Sequence, residues 1–291
     1  MTLPFTDDDV VTAFPDWNVV SPAVGQGSFK VAYRAQRRGG EEEVLKILTE
    51  PISVDSEEFE VSEFSERLSR ELTAMSETNC PHIVQITEPA SAQQIGSDRY
   101  VWYAEPYYSG GTLEERLQNG PLTLSEVTSL AKALLIAVES MWSQRIVHRD
   151  IKPGNIVFDN NGNPVLLDLG IALYSDLSPL TRSVDASPRT PRYSSPEQFE
   201  ARKDAQIDFR TDHFLIGMVV FESLTGKHPF WTYGVQGDVY MDRLESFSID
   251  SLAGYNAPEE FKKILSRLLA AKPNRRYRKV DEPLRELEGI L

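Results

Sequence analysis

A short glycine-rich segment near the N-terminus has the composition of a phosphate-binding turn. Gly25 and Gly27 lie between two apolar segments typical of strands, and Lys30 follows the turn. Glycines let the backbone approach a phosphate closely, so that main-chain N–H groups can donate to its oxygens. A plain hairpin would show the same glycines, and this segment by itself does not distinguish the two alternatives. No Gly-Lys-Ser/Thr follows, which excludes a P-loop, and the strand that follows excludes a dinucleotide fingerprint.

A lysine and a glutamate form a second candidate pair. Lys46 stands between Leu45 and Ile47 in an apolar strand, where an isolated lysine could simply face solvent. Glu71 falls on the apolar stripe of a predicted helix, and an inward carboxylate is costly unless it is paired. We therefore expect Lys46 and Glu71 to pair, which would place Lys46 well for contact with nucleotide phosphates.

The most specific pattern lies in segments 148–155 and 168–170. Asp150 and Asp168 could be turn residues beside strands, but their neighbours make an ordered set. The first segment reads His-Arg-Asp-x-x-x-x-Asn, and the second reads Asp-Leu-Gly where Asp-Phe-Gly is usual. The chain therefore resembles the eukaryotic-type (Hanks-type) Ser/Thr protein kinases over roughly residues 19 to 285.

The resemblance implies roles for the charged and amide side chains. Asp150 would orient the acceptor hydroxyl and accept its proton, and Lys152 would neutralise charge on the transferring phosphoryl group. Asn155 and Asp168 would supply the oxygen ligands of Mg²⁺. Lys46 and Glu71 would complete the catalytic set.

The resemblance also implies a nucleotide site. Ala32 and Val44 would lie over the adenine ring. The family usually has Val and Ala at these two positions, respectively, so the combined side-chain volume is nearly the same. Pro106 cannot donate a backbone hydrogen bond, so the adenine contacts would fall to the carbonyl of Glu105 and the amide of Tyr107. Ala104 would then control access behind the adenine. The implied nucleotide-binding residues are Gly25, Gln26, Gly27, Ser28, Phe29, Lys30, Ala32, Val44, Lys46, Glu105, Tyr107 and Val157.

Three further matches imply supporting roles downstream. Residues 190–197 resemble the end of a kinase activation segment, and we expect autophosphorylation between residues 168 and 197. Asp212 resembles the aspartate of the helix that supports the catalytic loop. Arg275 resembles the arginine that pairs with Glu197.

The elements that must position these residues are predicted from hydrophobic periodicity. Segments 31–35 and 43–48 flank a Gly-Gly pair and predict a hairpin, and segments 83–86 and 100–104 predict two more strands. A helix begins near Asp55, with Phe64, Leu68, Leu72 and Met75 at helical spacing.

The rest of the chain predicts mainly helices. Thr112 and Thr123 each precede a glutamate three residues later, which is the signature of a capping box. Apolar residues between 261 and 269 predict another helix.

The fold class is therefore α+β, a bilobal protein-kinase-like fold with a small antiparallel β-rich N-lobe holding one helix and a larger, mainly helical C-lobe. The expected boundaries are 1–18 for an N-terminal extension and 19–291 for the kinase domain. Within that domain they are 19–104 for the N-lobe, 105–111 for the connector and 112–291 for the C-lobe.

Composition narrows the classes of partner. The chain has 291 residues and a net charge of −14, which argues against binding to nucleic acid or to an anionic membrane, since both are polyanions. The negative charge permits basic protein partners. The single cysteine, Cys80, excludes a disulfide framework within the chain. The acidic N-terminus lacks the Lys or Arg of a secretory signal, so we expect a cytoplasmic protein.

The leading interpretation is transfer of the γ-phosphate of ATP, with Mg²⁺, to Ser/Thr hydroxyls of protein substrates. A nucleotide-binding pseudokinase that acts as a scaffold or allosteric partner is the alternative, and the full set of catalytic residues weighs against it. A small-molecule phosphotransferase is a third interpretation, disfavoured by residues 190–197. Control by a regulatory protein partner or by the activation segment is expected.

Overall fold

The computed structural model describes residues 3–27, 30–52, 79–167, 192–199, 207–231 and 237–290. The chain divides into two compact units. Unit 1 comprises Met1–Asn79 and Val84–Tyr108, and unit 2 comprises Cys80–Ile83 and Ser109–Leu291. They correspond to the predicted β-rich lobe and helical lobe.

Unit 1 is built on an antiparallel sheet. Its strands are β1 (Trp17–Val19), β2 (Gly25–Gln26), β3 (Lys30–Arg37), β4 (Glu42–Ile52), β5 (Glu88–Ile95) and β6 (Asp98–Pro106). The spatial order is β1-β3-β4-β6-β5, and β2 pairs with β3. The predicted hairpin is confirmed as β3–β4, and segment 100–104 lies in β6.

One predicted strand is wrong. Segment 83–86 forms no strand: Ile83 makes an isolated bridge to Leu166, which also belongs to unit 2, and the strand that pairs with β6 on the side away from β4 is β5. Ile83 and Val84 are buried, so their apolar character reflects burial and not membership of the sheet. A short apolar run alone does not distinguish the two cases.

One face of the sheet is covered by helix α1 (Asp7–Ala13), which lies in the segment expected to be an extension. Thr6 and Asp9 form a capping box at its start, and the Tyr33 hydroxyl donates to Asp7 Oδ1 at 2.7 Å. The residues buried together on this face include Phe5, Val10, Phe14, Val31, Tyr33, Ala35, Leu45, Ile47 and Ala104. Phe5, Val10 and Phe14, from the expected extension, thus belong to the core of unit 1.

Unit 2 is mainly helical. Its helices are α2 (Leu113–Leu117), α3 (Leu124–Ser143), α4 (Pro196–Phe199), α5 (Phe209–Thr225), α6 (Gly237–Glu245), α7 (Glu259–Leu268) and α8 (Glu282–Glu288), with a small hairpin of β7 (Ile156–Phe158) and β8 (Pro164–Leu166). Both predicted capping boxes, at Thr112 and Thr123, are present. The predicted helix over residues 261–269 is α7.

Helices α5 and α7 pack closely at a glycine. A Cβ atom on Gly217 would lie 3.0 Å from Leu269 and 3.1 Å from Leu268, so a larger residue would push the helices apart. Within the described ranges, none of the helices combines the length and apolarity needed to span a bilayer.

Candidate active site

The loop that carries Asp150 is shaped by Asp212 on α5. The backbone N–H groups of His148 and Arg149 each donate to a different carboxylate oxygen of Asp212, both at 2.8 Å. Arg149 adopts a positive φ of 68°, a backbone conformation that residues other than glycine rarely adopt. Burial raises the pKa of Asp212 to about 7, and the two N–H donors act in the opposite direction. Asp212 therefore holds a tight turn immediately before Asp150.

His148 fastens the same loop to the end of β8. Its Nε2 lies 2.9 Å from the Leu167 carbonyl oxygen, and its Nδ1 lies 3.2 Å from the backbone N of Asp150. A carbonyl can only accept and a backbone N–H can only donate, so these partners fit a neutral imidazole protonated on Nε2. The ring is fully buried. His148 thus links the backbone of Asp150 to the residue that follows β8.

The Asp150 carboxylate is held by two side chains. Its Oδ2 accepts from Lys152 Nζ at 2.7 Å and from Asn155 Nδ2 at 2.9 Å. The same Asn155 nitrogen donates to the Asp150 carbonyl at 2.9 Å. Because Nδ2 is committed to Asp150, Oδ1 is the Asn155 atom suited to ligate a cation. Asp168 lies outside the described residues.

A buried ion pair anchors the end of the segment that resembles a kinase activation segment. Glu197 binds the guanidinium of Arg276 at 2.7 and 3.0 Å. The predicted partner Arg275 is wrong by one residue: it is exposed, and Arg276 is buried. Arg275 is the last residue of a 3₁₀ turn and Arg276 follows it, and the direction of each side chain there cannot be read from sequence spacing.

Gln198 is a supporting residue that the sequence interpretation missed. Its Nε2 donates to the Arg149 carbonyl at 2.8 Å, which links α4 to the Asp150 loop. Its neighbour Glu197 was found by a motif, but nothing in the local pattern singles out Gln198.

In unit 1, strand register brings the predicted nucleotide residues together. Ala32 is paired with Lys46, and Val44 with Glu105. Side chains alternate between the faces of a sheet, so Lys30, Ala32, Val44, Lys46, Tyr103 and Glu105 share one face, which we call the Lys46 face. It is opposite to the face that α1 covers.

Lys46 is paired within this face. Its Nζ lies 2.5 Å from Glu105 Oε1, and the two side chains are only 5% and 3% exposed. The predicted partner Glu71 lies outside the described residues. The role of the Glu105 side chain was missed, although two opposite charges in otherwise apolar strands were a signal.

The connector register expected from the sequence does not agree with the sheet. The Tyr107 N–H donates to the Glu42 carbonyl at 2.9 Å and so is engaged in β4 pairing. Backbone groups of alternate residues point to the same neighbouring strand in an antiparallel ladder, so the Glu105 carbonyl is directed at β4 as well. The structure therefore disfavours both as adenine contacts.

Ala104 also differs from expectation. It is fully buried in the core beneath α1, on the face opposite to Lys46. A one-residue change of register exchanges the faces of a strand, which explains why Ala104 was expected on the face that Glu105 occupies.

The glycine-rich turn is partly described. Gly25 pairs with Ala32 and Gln26 with Val31, and the Gly27 N–H donates to the Lys30 carbonyl at 2.8 Å. Ser28 and Phe29 lie outside the described residues. In unit 2, Val157 is buried in β7, paired with Val165.

Comparison with known proteins places the chain in a family. Residues 19–283 match the protein kinase domain family. A probable serine/threonine-protein kinase of Streptomyces coelicolor is 29% identical over 94% of this chain and 39% of its own length. The probable serine/threonine-protein kinase PknB of Bifidobacterium longum is 31% identical over 75% of this chain and 32% of its own length. The chain thus spans well under half the length of either relative.

A solved structure shows the same fold. A crystal structure of Rad53 residues 1–466 in complex with AMP-PNP aligns with a TM-score of 0.70 and 22% identity, covering 94% of this chain and 65% of that one. The match supports the predicted bilobal fold. The match of residues 19–283 to the family, together with the sequence relatives, shows that the chain belongs to the protein kinase family, in its serine/threonine group.

Proposed function

We propose that the chain transfers the γ-phosphoryl group of ATP to serine or threonine hydroxyls of protein substrates. The observation that carries the proposal is the Asp150 carboxylate, which Lys152 and Asn155 hold on a loop clamped by Asp212. Such a loop presents one carboxylate oxygen in a fixed place, as positioning of an acceptor hydroxyl requires. Membership of the kinase family supports the same activity.

Unit 2 would carry out the proton and charge handling. Asp150 would accept a hydrogen bond from the substrate hydroxyl, orient its oxygen for attack and take its proton as the new O–P bond forms and the bond from the γ-phosphorus to the bridging oxygen of ADP breaks. Lys152, already 2.7 Å from Asp150, would stabilise negative charge that develops on the transferring group. Asn155 through Oδ1, and Asp168, would hold Mg²⁺, which when bound offsets phosphate charge.

Unit 1 would hold the nucleotide on the Lys46 face. Ala32 and Val44 would contact the adenine ring, and Lys46 would bind phosphate oxygens. The alternation of the ladder shifts the adenine contacts by one residue, to the Pro106 carbonyl and the Tyr108 amide. Proline lacks an N–H but keeps its carbonyl, so this register suits Pro106.

The test is incubation with labelled ATP, Mg²⁺ and a generic basic protein, followed by identification of the phosphorylated residue type. We expect phosphoserine or phosphothreonine, and loss of transfer by at least about 10²-fold in Asp150→Asn. The variant should retain the far-UV circular dichroism and the ATP affinity of the wild type. ATP binding without any transfer by the wild type would favour the pseudokinase alternative.

Basic protein substrates and control by a protein partner remain part of the proposal. Phosphorylation between residues 168 and 197 would place a dianion in the segment that precedes Glu197, where Arg149 could pair with it. Mass spectrometry after incubation with ATP would locate the modified residue, and an active protein without phosphate in this segment would exclude this form of control.

A further inference from the structure

A buried charge pair on the sheet of unit 1 goes beyond the roles proposed so far. Lys46 on β4 and Glu105 on β6 are diagonal neighbours, because Val44 is the cross-strand partner of Glu105 and Tyr103 that of Lys46. Diagonal side chains on one face of a sheet are within reach of each other when they are long. The Nζ–Oε1 distance of 2.5 Å shows that these two meet.

Stability alone does not account for the pair. Taking a carboxylate and an ammonium out of water costs free energy that their attraction offsets only in part. Apolar residues of similar volume at the same positions often give equal or greater stability. Leu48, the next residue on the same face of β4, is such a buried apolar side chain.

The geometry of the pair is set by two hydrogen-bonded strands. Both backbones belong to the same ladder, from Glu43–Pro106 through Ile47–Trp102. The register of these two strands therefore places the carboxylate within reach of Lys46. It restricts the rotamers of a four-carbon side chain that would otherwise lose much freedom on binding a phosphate.

We propose that Glu105 is the positioning residue for Lys46: it holds the ammonium on the Lys46 face in the orientation that binds nucleotide phosphates. The inference rests on the proposed function, because it assumes that Lys46 binds phosphate. An ammonium has three N–H donors, so a bond to Glu105 is compatible with donation to phosphate oxygens. Preorganisation of this kind improves affinity for the phosphates and leaves recognition of the base unchanged.

The test compares a ligand that carries phosphates with one that does not. Dissociation constants for Mg²⁺-ATP and for adenosine are measured by calorimetry on the whole chain. Glu105→Gln keeps the size of the side chain and removes its charge. We expect it to weaken ATP binding about tenfold, within the range of coupling between contacting residues. Adenosine binding should change by less than about twofold, because adenosine has no group for Lys46 to bind.

Two comparisons make the result specific. Glu43→Gln is the matched control: Glu43 is also a mostly buried sheet glutamate with a cationic neighbour, Arg37 at 3.4 Å, but it lies on the opposite face. It should leave the ATP-to-adenosine affinity ratio unchanged. In a Lys46→Ala background, Glu105→Gln should have no further effect on this ratio, since the group that it positions is gone.

Three outcomes would overturn the inference. They are an unchanged affinity ratio in Glu105→Gln, tighter ATP binding in that variant, or loss of the ratio in Glu71→Gln without loss in Glu105→Gln. A wild type that binds ATP no more tightly than adenosine would instead overturn the proposed role of Lys46 itself. If Glu105→Gln does not fold, Glu105→Asp keeps the charge and withdraws it by one methylene. We expect a smaller reduction of the ATP-to-adenosine affinity ratio in Glu105→Asp than in Glu105→Gln. An unchanged ratio would again overturn the inference.

Discussion

Arg276 and Glu197 form a bidentate ion pair in the interior of unit 2, with Nη1–Oε1 and Nη2–Oε2 distances of 2.7 and 3.0 Å. The Arg276 side chain is 0% exposed, and its guanidinium stacks over the Phe214 ring at 4.5 Å. Burial by itself would raise the pKa of Glu197, but the hydrogen bonds and charge of Arg276 hold it below its ordinary value. Glu197 also ties α4 to α5, because the Thr211 hydroxyl on α5 donates to Glu197 Oε1 at 2.8 Å.

Replacing Arg276 should therefore be far more damaging than replacing its neighbour. Arg276→Ala leaves the Glu197 charge buried without its partner, and we expect a loss of about 3–5 kcal/mol in the free energy of unfolding. Arg275→Ala is the matched control and should change it by less than about 0.5 kcal/mol, because Arg275 is exposed. Urea denaturation of the two variants measures both values. Equal losses would contradict the observed pairing.

Asp212 should matter for catalysis as well as for stability. Asp212→Asn keeps one acceptor oxygen but replaces the other with an amide nitrogen, so one of the N–H groups of His148 and Arg149 loses its partner. We expect the free energy of unfolding to fall by about 1.5–3 kcal/mol, the range for hydrogen bonds to a charged group. The kcat for peptide phosphorylation should fall with it, since the turn before Asp150 loosens.

Asp208→Asn supplies the control for Asp212. Asp208 caps the same helix by accepting from the Arg210 N–H at 2.9 Å, and asparagine caps helices about as well. Its kcat should remain near that of the wild type. A normal kcat for Asp212→Asn would show that the loop does not depend on the carboxylate.

Two buried histidines should make unit 2 sensitive to acid. Burial lowers the pKa of His213 and of His228 to about 3 in each case. Between that value and the ordinary 6.5, the unfolded chain binds protons that the folded chain does not. The free energy of unfolding is thus fully retained above pH 6.5 and declines as the pH falls toward 3, by up to about 1.4 kcal/mol per pH unit for each histidine.

His228→Asn isolates half of this effect. The His228 Nδ1 accepts from the backbone N–H groups of Phe230 and Trp231 at 3.1 and 2.9 Å, and an asparagine oxygen can take over that role without titrating. The slope of unfolding free energy against pH, measured between pH 7 and 5, should be smaller than in the wild type. An identical slope would contradict a buried neutral His228.

Lys30 lies on the Lys46 face, because its cross-strand partner Leu48 shares that face with Lys46. If both lysines bind the phosphates, Lys30→Ala and Lys46→Ala should each keep some activity, and the double variant should lose far more than the sum. Transfer rates at saturating ATP measure this. A wild-type rate for Lys30→Ala, with Lys46→Ala as inactive as the double variant, would leave Lys46 as the phosphate-binding lysine.

Substitution of Ala104 should affect the core and not the nucleotide site. Ala104→Phe adds a ring to the packed layer beneath α1, and we expect a cost of about 1–3 kcal/mol in the free energy of unfolding. Binding of purine-like inhibitors with a bulky added group should be unchanged in the folded fraction. Selective loss of such binding would restore Ala104 to the position behind the adenine.

The sequence by itself determined the features that depend on near neighbours. The capping boxes at Thr112 and Thr123 join residues three positions apart, and the β3–β4 hairpin closes over a short turn. The spacing of Asp150, Lys152 and Asn155 likewise places all three on one short loop, where the structure finds them in contact. The roles of Asp168 and Glu71 stay predictions, since both lie outside the described residues.

Tertiary structure decided the relationships between residues distant in sequence. The pairing of Lys46 with Glu105 and of Glu197 with Arg276 depends on strand register and on the direction of a side chain after a turn. A strand has a period of two, so an error of one residue moves a side chain to the opposite face, as happened for Ala104. Local patterns do not specify register, because it is set by packing of whole faces, such as the burial of Leu45 and Ala104 beneath α1.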